Sequence, residues 1–370
     1  MYNWNGKWYK LFLKFGGFMY NLIKKFNFSA FLSIFFIFPV FSIETRIEPS
    51  YETPIYVNGQ YKNYENEVPF NHRIESLAIG AKTFINQIPY FATSYKAEKW
   101  NAPSIPVENS EDLKITWIGH SSFLIQINNI NILTDPIFYD LDKSIYPRKT
   151  TVGIDPKNLP KKIDVILISH NHRDHMDEPS LKFLAQKDKK TVCLVPKGDI
   201  KTMKNFGFTS INEFIWWQTI EIENVKLTFL PAIHWSSRGV FDLCTSLWGS
   251  WMISSEKQSV YFCGDSAYGK HFTKIAAKYP NIDVALMPIG PVNPSECRNS
   301  HMDATEAIQA FADLKAKFFI PMHWGTFGLG PDRFDTSITL LNQKWTERFK
   351  ENQNQKLLLL KFGQTIDVTI

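Results

Sequence analysis

The stretch Ser169-His170-Asn171-His172-Arg173-Asp174-His175, which follows an apolar run at residues 165–168, decides the fold. At the spacing of a strand, His170 and His172 point to the same side, and Asp174 and His175 follow as the chain turns toward a helix. Imidazole nitrogen and carboxylate oxygen suit Zn²⁺ or a similar divalent cation. One tetrahedral ion does not need four ligands from one loop, whereas two ions about 4 Å apart do. The alternative, a polar surface turn, is disfavoured because an apolar strand precedes the motif.

The hydrophobic pattern around this motif predicts an α/β sandwich in which helices separate clusters of strands. Strands are expected at residues 115–118, 122–127, 130–134, 165–169, 191–196, 226–231, 259–263, 284–288 and 318–322. Helices are expected at residues 178–187, 271–278 and 303–314. Asp303, followed three residues later by Glu306, is typical of a helix start.

Four later residues are candidates to complete the ligand sets. His234, Asp265 and His323 each follow a predicted strand, and functional groups gather at strand ends in open α/β sheets. His301 lies in a loop before a predicted helix. Taken singly, each has a structural alternative, which is a packed histidine or, for Asp265, a turn aspartate after Gly264. Their joint order along the chain favours a ligand role.

The charge of the chain is concentrated at its N-terminus. Residues 1–43 hold five lysines and no acidic residue, and these lysines account for the whole excess of 41 Lys and Arg over 36 Asp and Glu. The rest of the chain is formally neutral, so we expect no nucleic-acid partner. The four cysteines are far apart and show neither zinc-finger spacing nor a disulfide framework.

Residues 29–43 (SAFLSIFFIFPVFSI) carry no charge and follow the lysine-rich arm. This order is typical of a secretory signal or a signal anchor, although the run is shorter than the roughly 20 residues that span a bilayer. An interfacial amphipathic helix and an apolar extension packed on the domain are the alternatives. We predict a membrane-associated protein whose catalytic domain is exported. The domains are then an arm with a signal or anchor at 1–43, a linker and N-terminal extension at 44–112, and a hydrolase domain at 113–370.

Seven further motifs surround HNHRDH in a recognisable order. They are WIGHSSFLIQ at 117–126, LTDPIF at 133–138, LWGSW at 247–251, GDSAYG at 264–269, MPIG at 287–290, HMDATEA at 301–307 and MHWGTF at 322–327. The set resembles the metallo-β-lactamase superfamily and, within it, the N-acylphosphatidylethanolamine-hydrolysing phospholipase D family. The resemblance covers residues 113–363 and implies a four-layer αββα sandwich.

The resemblance also implies roles for the candidate residues. Two divalent ions, with Zn²⁺ the expected metal, would be held by His170, His172 and His234 on one side and by Asp174, His175 and His323 on the other. Asp265 would bridge them, and His301 would lie near the scissile phosphate. Family members often have Tyr at the position of Arg173 and Gln at that of Ser300, and both positions could touch the substrate head group.

Two more polar residues precede the motif, His120 and Asp135. Since seven ligands already fill two ions, we expect His120 to orient Asp135 or a ligand; direct metal binding is the alternative. Asp135 is expected to tie the loop under the site.

The function predicted from these observations is phospholipase D-type cleavage of an N-acylphosphatidylethanolamine or a related phospholipid. Two ions would lower the pKa of a bridging water, Asp174 would orient it or take its proton, and His301 would position phosphate or protonate the leaving alkoxide. A lactonase, a small phosphodiesterase and a non-catalytic membrane-anchored protein are the alternatives. A phospholipid and a membrane surface are the expected partners, and a homodimer is left open.

Overall fold

The structure is a computed structural model that describes residues 43–44, 53–64, 97–143, 146–239, 241–349 and 354–368. These residues belong to one compact unit, Ile43–Ile370. The apolar segment predicted at 29–43 lies outside the described residues except for Ile43, which begins the first strand. Within the described part of the chain, no helix is long and apolar enough to cross a bilayer.

Seventeen strands and five α-helices are present in the described ranges. The strands are β1 (Ile43–Glu44), β2 (Ile55–Val57), β3 (Gln60–Lys62), β4 (Lys114–Gly119), β5 (Ser122–Ile127), β6 (Ile130–Thr134), β7 (Val165–Leu167), β8 (Val192–Pro196), β9 (Ile211–Phe214), β10 (Thr219–Ile222), β11 (Val225–Leu230), β12 (Ser250–Ser254), β13 (Ser259–Phe262), β14 (Val284–Pro288), β15 (Phe318–Met322), β16 (Lys356–Leu357) and β17 (Thr365–Asp367). The helices are α1 (Glu178–Lys187), α2 (Ile200–Phe206), α3 (His271–Lys278), α4 (Ala304–Leu314) and α5 (Thr336–Phe349).

The strands form two large mixed sheets and a hairpin. One sheet has the order β17-β4-β5-β6-β7-β8-β9, the other has the order β1-β10-β11-β12-β13-β14-β15-β16, and β2 pairs with β3. In the first sheet β6 to β9 run parallel, and in the second β13 to β16 do. Strands that precede the predicted ligands therefore end at the same edge of each sheet, which is where α/β proteins place their sites.

The two sheets pack face to face next to the predicted ligands. The indole of Trp251 on β12 donates to the Ile168 carbonyl at 2.9 Å, and its ring lies 5.3 Å from that of Phe214 on β9. Gly264 has φ +61°, and a Cβ there would lie 2.5 Å from Ser169 Cβ. This close approach requires glycine and brings the ends of β7 and β13 together.

Helices cover the outer face of each sheet. Leu181 and Leu184 of α1 pack with Leu124, Leu133 and Ile166 of the seven-stranded sheet. On the other sheet α4 packs against β14, between α3 and α5, and the rings of Phe311 and Phe319 are 5.1 Å apart. Two sheets between two helical layers confirm the predicted αββα sandwich.

The predicted elements are largely confirmed. Helices α1 and α3 have the expected bounds, and Asp303 caps α4 in a capping box with Glu306. The predicted strand 165–169 was too long, because β7 ends at Leu167. Eight paired strands were missed: the short strands β1, β2, β3 and β16, the strands β9, β10 and β17, which are polar or lie near sheet edges, and the buried β12.

Candidate metal centre

The HNHRDH loop leaves β7 and folds into a turn. The His175 and Met176 amides both donate to the His172 carbonyl, at 3.1 and 2.8 Å. From another loop, Arg238 Nη1 donates to the carbonyls of Asn171 and Met176, at 3.0 and 2.7 Å. One guanidinium thus holds both ends of the turn, which fixes the relative positions of its four candidate ligands.

His170, His172 and His234 bring three ring nitrogens together and are called the three-histidine group. His172 Nδ1 lies 2.9 Å from His170 Nε2 and 3.2 Å from His234 Nε2. His234 Nδ1 is 2.8 Å from the Ser300 carbonyl. A carbonyl only accepts, so His234 carries its proton on Nδ1 and keeps a lone pair on Nε2, facing the other rings.

Asp174, His175 and His323 form a second cluster, the aspartate group. His323 Nε2 and His175 Nε2 lie 3.9 and 3.5 Å from Asp174 Oδ2. His120 joins this cluster, because its Nε2 is 3.0 Å from the same carboxylate oxygen. The prediction that His120 orients a ligand therefore fits the structure, and its partner is Asp174. Direct binding of a metal ion by His120 is also compatible with the geometry, since ligand atoms of His120 and of the three residues of the aspartate group lie within 4.8 Å of one another.

Asp265 lies between the two groups. Its Oδ2 is 3.9 Å from the Nε2 atoms of both His170 and His234. The same oxygen is 3.1 Å from His175 Nε2 and 3.2 Å from His323 Nε2. One buried carboxylate oxygen thus faces ring nitrogens of the three-histidine group and of the aspartate group, the position predicted for the bridging residue.

The donor atoms fit divalent cations. Five buried ligand atoms form no hydrogen bond of acceptable geometry among the described residues: Nε2 of His172, His175 and His323, Oδ1 of Asp265 and Nδ1 of His301. Buried polar atoms are rarely left unpaired, so five such atoms at one place require an explanation. Cations bound between them would satisfy the lone pairs of these nitrogens and oxygens.

Electrostatics favour the ligand forms of His172, His234 and Asp265 and, in the absence of a metal ion, a protonated His175. Burial lowers the pKa of His172 to about 3 and that of His234 to about 4, so both rings are neutral near pH 7. Burial opposes ionisation of Asp265, yet His175 and His323 hold the pKa of Asp265 well below its usual range. Asp265 and Asp174, against the effect of burial, raise the pKa of His175 well above its ordinary value. These carboxylates require a positive charge beside them, which a divalent cation supplies in place of a proton.

Asp135 supports both groups from below, as predicted. It accepts from the Ser169 amide at 2.7 Å, from Ser169 Oγ at 2.5 Å and from His175 Nδ1 at 2.8 Å. Because the Ser169 hydroxyl gives its proton to Asp135, it accepts from His170 Nδ1, 2.9 Å away. Asp135 therefore sets the tautomer of one ring in each group.

The backbone is strained where the ligands converge. Asp135, His120 and His323 have φ values of 34°, 53° and 59°, a region that residues other than glycine seldom adopt. Such conformations persist where surrounding contacts enforce them, and they cluster at functional sites. Here the His323 amide donates to the His120 carbonyl, which fastens one strained residue to the other.

His301 reaches the same centre. Its Nδ1 lies 3.6 Å from Asp265 Oδ2, and its ring is 5.0 Å from that of His234 and 5.5 Å from that of His323. The side chain is 18% exposed, whereas Asp265 is 2% exposed, so His301 lies on the open side of the centre. Burial lowers the pKa of His301 well below its ordinary value and keeps the ring neutral.

Sequence reasoning missed four residues that hold the candidate ligands: Asn63, Ser169, Arg238 and Ser300. Ser169 directly precedes His170, and its hydroxyl was the signal that could have indicated a supporting role. Asn63 and Arg238 act through backbone carbonyls and amides of distant segments, and no sequence pattern indicates such contacts. Ser300 acts through its own carbonyl, which is independent of its side chain.

The comparisons with known proteins agree with this geometry. Residues 130–324 match the model of the β-lactamase superfamily domain. The chain is 33% identical over 242 residues to an N-acyl-phosphatidylethanolamine-hydrolyzing phospholipase D, mitochondrial, of Saccharomyces cerevisiae, a match that covers 62% of this chain and 52% of that protein. It is 30% identical over 220 residues to a metal-dependent hydrolase of Methanopyrus kandleri, covering 58% of this chain and 85% of the relative.

A solved structure of a metallo hydrolase from Ignicoccus hospitalis has the same fold. Its TM-score is 0.54 at 22% identity, over 70% of this chain and 99% of that one. The chain belongs to the β-lactamase superfamily, and it is a metal-dependent hydrolase. The predicted resemblance to the phospholipase D family is confirmed as a similarity, in which the chain spans about half the length of the yeast relative.

Proposed function

We propose that this hydrolase uses two metal ions for phospholipase D-type cleavage of an N-acylphosphatidylethanolamine or a related phospholipid, giving phosphatidic acid and an N-acylethanolamine. The observation that carries the two-metal centre is the position of Asp265 Oδ2, 3.1 to 3.9 Å from ring nitrogens of both groups. The similarity to the yeast phospholipase D supports the lipid substrate.

In this proposal the three-histidine group holds one ion and the aspartate group holds the other. Three neutral imidazoles give the first ion no negative charge of its own, and Asp174 gives the second ion one. Asp265 contributes its charge to both. Two such ions would together stabilise the attacking and the leaving oxygens of a phosphodiester.

Bound divalent ions would lower the pKa of a water between them and attract the phosphodiester oxygens. Asp174 would orient that water and accept its proton. The contact of 3.0 Å between His120 Nε2 and the Asp174 carboxylate supports this role, because it restrains the carboxylate. The water oxygen forms a bond to phosphorus, and the bond to the N-acylethanolamine oxygen breaks. Neutral His301, on the open side, would donate its N–H to a phosphate oxygen or, after taking up the proton that Asp174 removes from the water, would protonate the departing alkoxide.

The head-group preference is expected to depend on Arg173 rather than on Ser300. Ser300 is 5% exposed, and its carbonyl is engaged by His234. Arg173 is exposed, and its Nη2 donates to the Arg238 carbonyl at 3.0 Å. A guanidinium held at one end beside the ligand loop can bind an anionic group of the substrate with its other N–H donors.

We also propose that the lysine-rich arm and the apolar segment at 29–43 bring the enzyme to its lipid. Positive charge is retained on the cytoplasmic side, so insertion would export the catalytic domain. A C-terminal reporter active only outside the cytoplasm should give signal, and a chain lacking residues 1–43 should not. A folded, membrane-bound fusion without signal would leave only an interfacial helix, and a fully soluble full-length chain would remove the membrane proposal.

A substrate panel tests the proposed reaction. The zinc-loaded full chain should release N-acylethanolamine from labelled N-acylphosphatidylethanolamine, EDTA should stop the release, and added Zn²⁺ should restore it. Arg173→Tyr should change the ranking of head groups without stopping turnover. Hydrolysis of sugar lactones or of small diesters in the absence of phospholipid cleavage would contradict the proposal and favour one of the alternative substrates.

A further inference from the structure

Asn63 lies outside the matched superfamily segment, which begins at residue 130, yet it reaches the metal centre. It follows the hairpin of β2 and β3, whose turn is Asn58-Gly59 with φ values of 52° and 81°. An Asn-Gly turn with both φ values positive is the favoured connection of a two-residue hairpin. The hairpin is therefore a well-formed local unit that presents Asn63 at its end.

The carboxamide of Asn63 pairs with the backbone of a candidate ligand. Its Nδ2 donates to the His234 carbonyl at 2.9 Å, and its Oδ1 accepts from the His234 amide at 3.2 Å. The same oxygen accepts from the Trp248 indole at 3.0 Å. Both partners of Oδ1 are donors and the partner of Nδ2 is an acceptor, which fixes the orientation of the amide. Asn63 is 5% exposed, so water does not readily replace it.

His234 lies beyond the end of a strand, and the contact with Asn63 adds to the bonds that hold the adjacent Ile233 to Ser266 Oγ and to the Ala267 amide. Strand β11 ends at Leu230, and Pro231, Ala232 and Ile233 separate it from His234. Its ring is oriented by the Ser300 carbonyl, and its backbone by Asn63. These two contacts together aim Nε2 at the other two rings of the three-histidine group.

The hairpin is docked on the same side by independent bonds. The Tyr61 amide donates to the Cys244 carbonyl at 2.8 Å, and Gln60 Nε2 donates to the Leu243 carbonyl at 3.0 Å. These contacts attach the hairpin to the loop that carries Arg238. They do not touch a candidate ligand, which makes Gln60 a matched control for Asn63.

We propose that Asn63 is a positioning residue of the metal centre and that the N-terminal extension thereby completes the site. The proposal rests on the two-metal function proposed above. It changes the role of residues 44–112, which the sequence presented as a linker and extension. At least the part that ends in Asn63 sets the affinity of the three-histidine group for its ion.

The experiment compares zinc binding by the full-length wild type, Asn63→Ala, Asn63→Asp and Gln60→Ala. Zinc dissociation constants come from chelator competition, and circular dichroism confirms that each metal-free protein is folded. Asn63→Ala should lower the affinity for one of the two zinc ions by roughly 10–100-fold and leave the affinity for the other unchanged. Asn63→Asp keeps both acceptor contacts of Oδ1 but replaces the NH₂ donor with an oxygen that repels the His234 carbonyl. It should therefore lower the affinity for the same zinc ion. Gln60→Ala should bind zinc like the wild type.

Two further readouts separate positioning from general stability. Visible absorption of the Co²⁺-loaded protein should change in Asn63→Ala, because the ligand geometry changes, and should not change in Gln60→Ala. With substrate, kcat should fall while KM stays close to that of the wild type.

Each outcome has a distinct meaning. A wild type that binds fewer than two zinc ions contradicts the proposed function. If the wild type binds two zinc ions and Asn63→Ala binds both with affinities within twofold of the wild-type values, the role of Asn63 is overturned and the proposed function is not. An equal loss of zinc affinity in Gln60→Ala also overturns the role of Asn63, since docking of the hairpin would then account for the effect. If Asn63→Ala does not fold, Asn63→Asp decides, and wild-type zinc binding in that variant overturns the proposal.

Discussion

The two sheets contribute to the metal centre in different ways. The seven-stranded sheet supplies His170, His172, Asp174 and His175 from one loop. The eight-stranded sheet supplies His234, Asp265 and His323 from three separate segments that follow its strands. The loop is held by side chains, with Asp135 beneath it and Arg238 across its ends. His234 and His323 are held through their backbones, His234 by the Asn63 carboxamide and His323 by the His120 carbonyl.

This difference shows where the centre is vulnerable. A loop with several supports retains its shape when one contact is lost, because the remaining contacts still constrain the same short turn. A ligand at a strand end depends on one or two contacts from distant segments. Loss of the Asp265 carboxylate, which follows a strand and faces both groups, should therefore reduce metal binding and activity more than a change beneath the loop, and the following variants test that order.

The largest effect is expected for Asp265→Asn, which alters the one carboxylate shared by both groups. It should lower the metal content and reduce kcat/KM by at least roughly 10³-fold, because several kcal/mol of charge stabilisation are lost. Elemental analysis and turnover of the same preparation measure both. The control is Asp283→Asn, a buried aspartate on the same sheet that binds the Ser259 amide, and it should keep its metal. An Asp265→Asn protein with two ions would rule out bridging by this residue.

His301→Ala should retain its metal and lose turnover by roughly 10²–10⁴-fold, the range for a general acid or a phosphate-binding group. The reason is its place on the open side of the centre, 3.6 Å from Asp265 but outside both groups. Metal content and kcat are measured together. Loss of a metal ion in this variant would show that His301 is itself a metal ligand, in addition to the three ligands from the eight-stranded sheet.

The loop is also anchored by a buried carboxylate, Asp199, which accepts from Asn171 at 3.0 Å and from Ser246 at 2.8 Å. Burial raises the pKa of Asp199 to about 7 from 3.8. The folded state therefore holds this proton more tightly than the unfolded state. Its stabilising effect is complete below pH 3.8 and is lost as the pH rises through about 7.

Relative to Asp199→Asn, the metal-free wild type should lose up to roughly 4 kcal/mol of unfolding free energy between pH 4 and pH 8. Urea unfolding of both proteins at several pH values in EDTA measures this difference. Parallel pH profiles for the two proteins would mean that Asp199 ionises in the fold as freely as in the unfolded chain.

The smallest effect is expected for Asp135→Asn, beneath the loop. It weakens the bond that sets the tautomer of His175, so the affinity for the ion of the aspartate group should fall by about 10–100-fold. The matched control is Asp155→Asn, at the exposed cap of the short helix Pro156–Asn158, and it should leave this affinity unchanged. A loss as large as that of Asp265→Asn would reverse the proposed order of the two regions.

The same difference explains how much the sequence predicted. The loop ligands were visible because four metal-competent residues lie within six positions after an apolar strand. His234, Asp265 and His323 became candidates because each follows a predicted strand, and their division between two ions came from the resemblance to the known family. The strands before them were predictable, because buried strands carry continuous apolar runs.

Other parts could not be predicted, for physical reasons. Asn63 lies 171 positions from the ligand it contacts, and a single polar residue after a hairpin carries no periodic signal. Strand β10 (TIEI) mixes exposed and buried residues over four positions, too few for a clear period. Strand β12 was missed because its start coincides with LWGSW, which we interpreted as a motif and not as a strand.

Metal content of the wild-type chain tests the central claim most directly. Protein purified in the presence of Zn²⁺ and dialysed against metal-free buffer should contain close to two divalent ions per chain by elemental analysis. Chelation should remove both ions together with activity, and Zn²⁺ should restore them. One ion or none per chain, in protein shown to be folded, would contradict the two-metal centre and the roles assigned to both sheets.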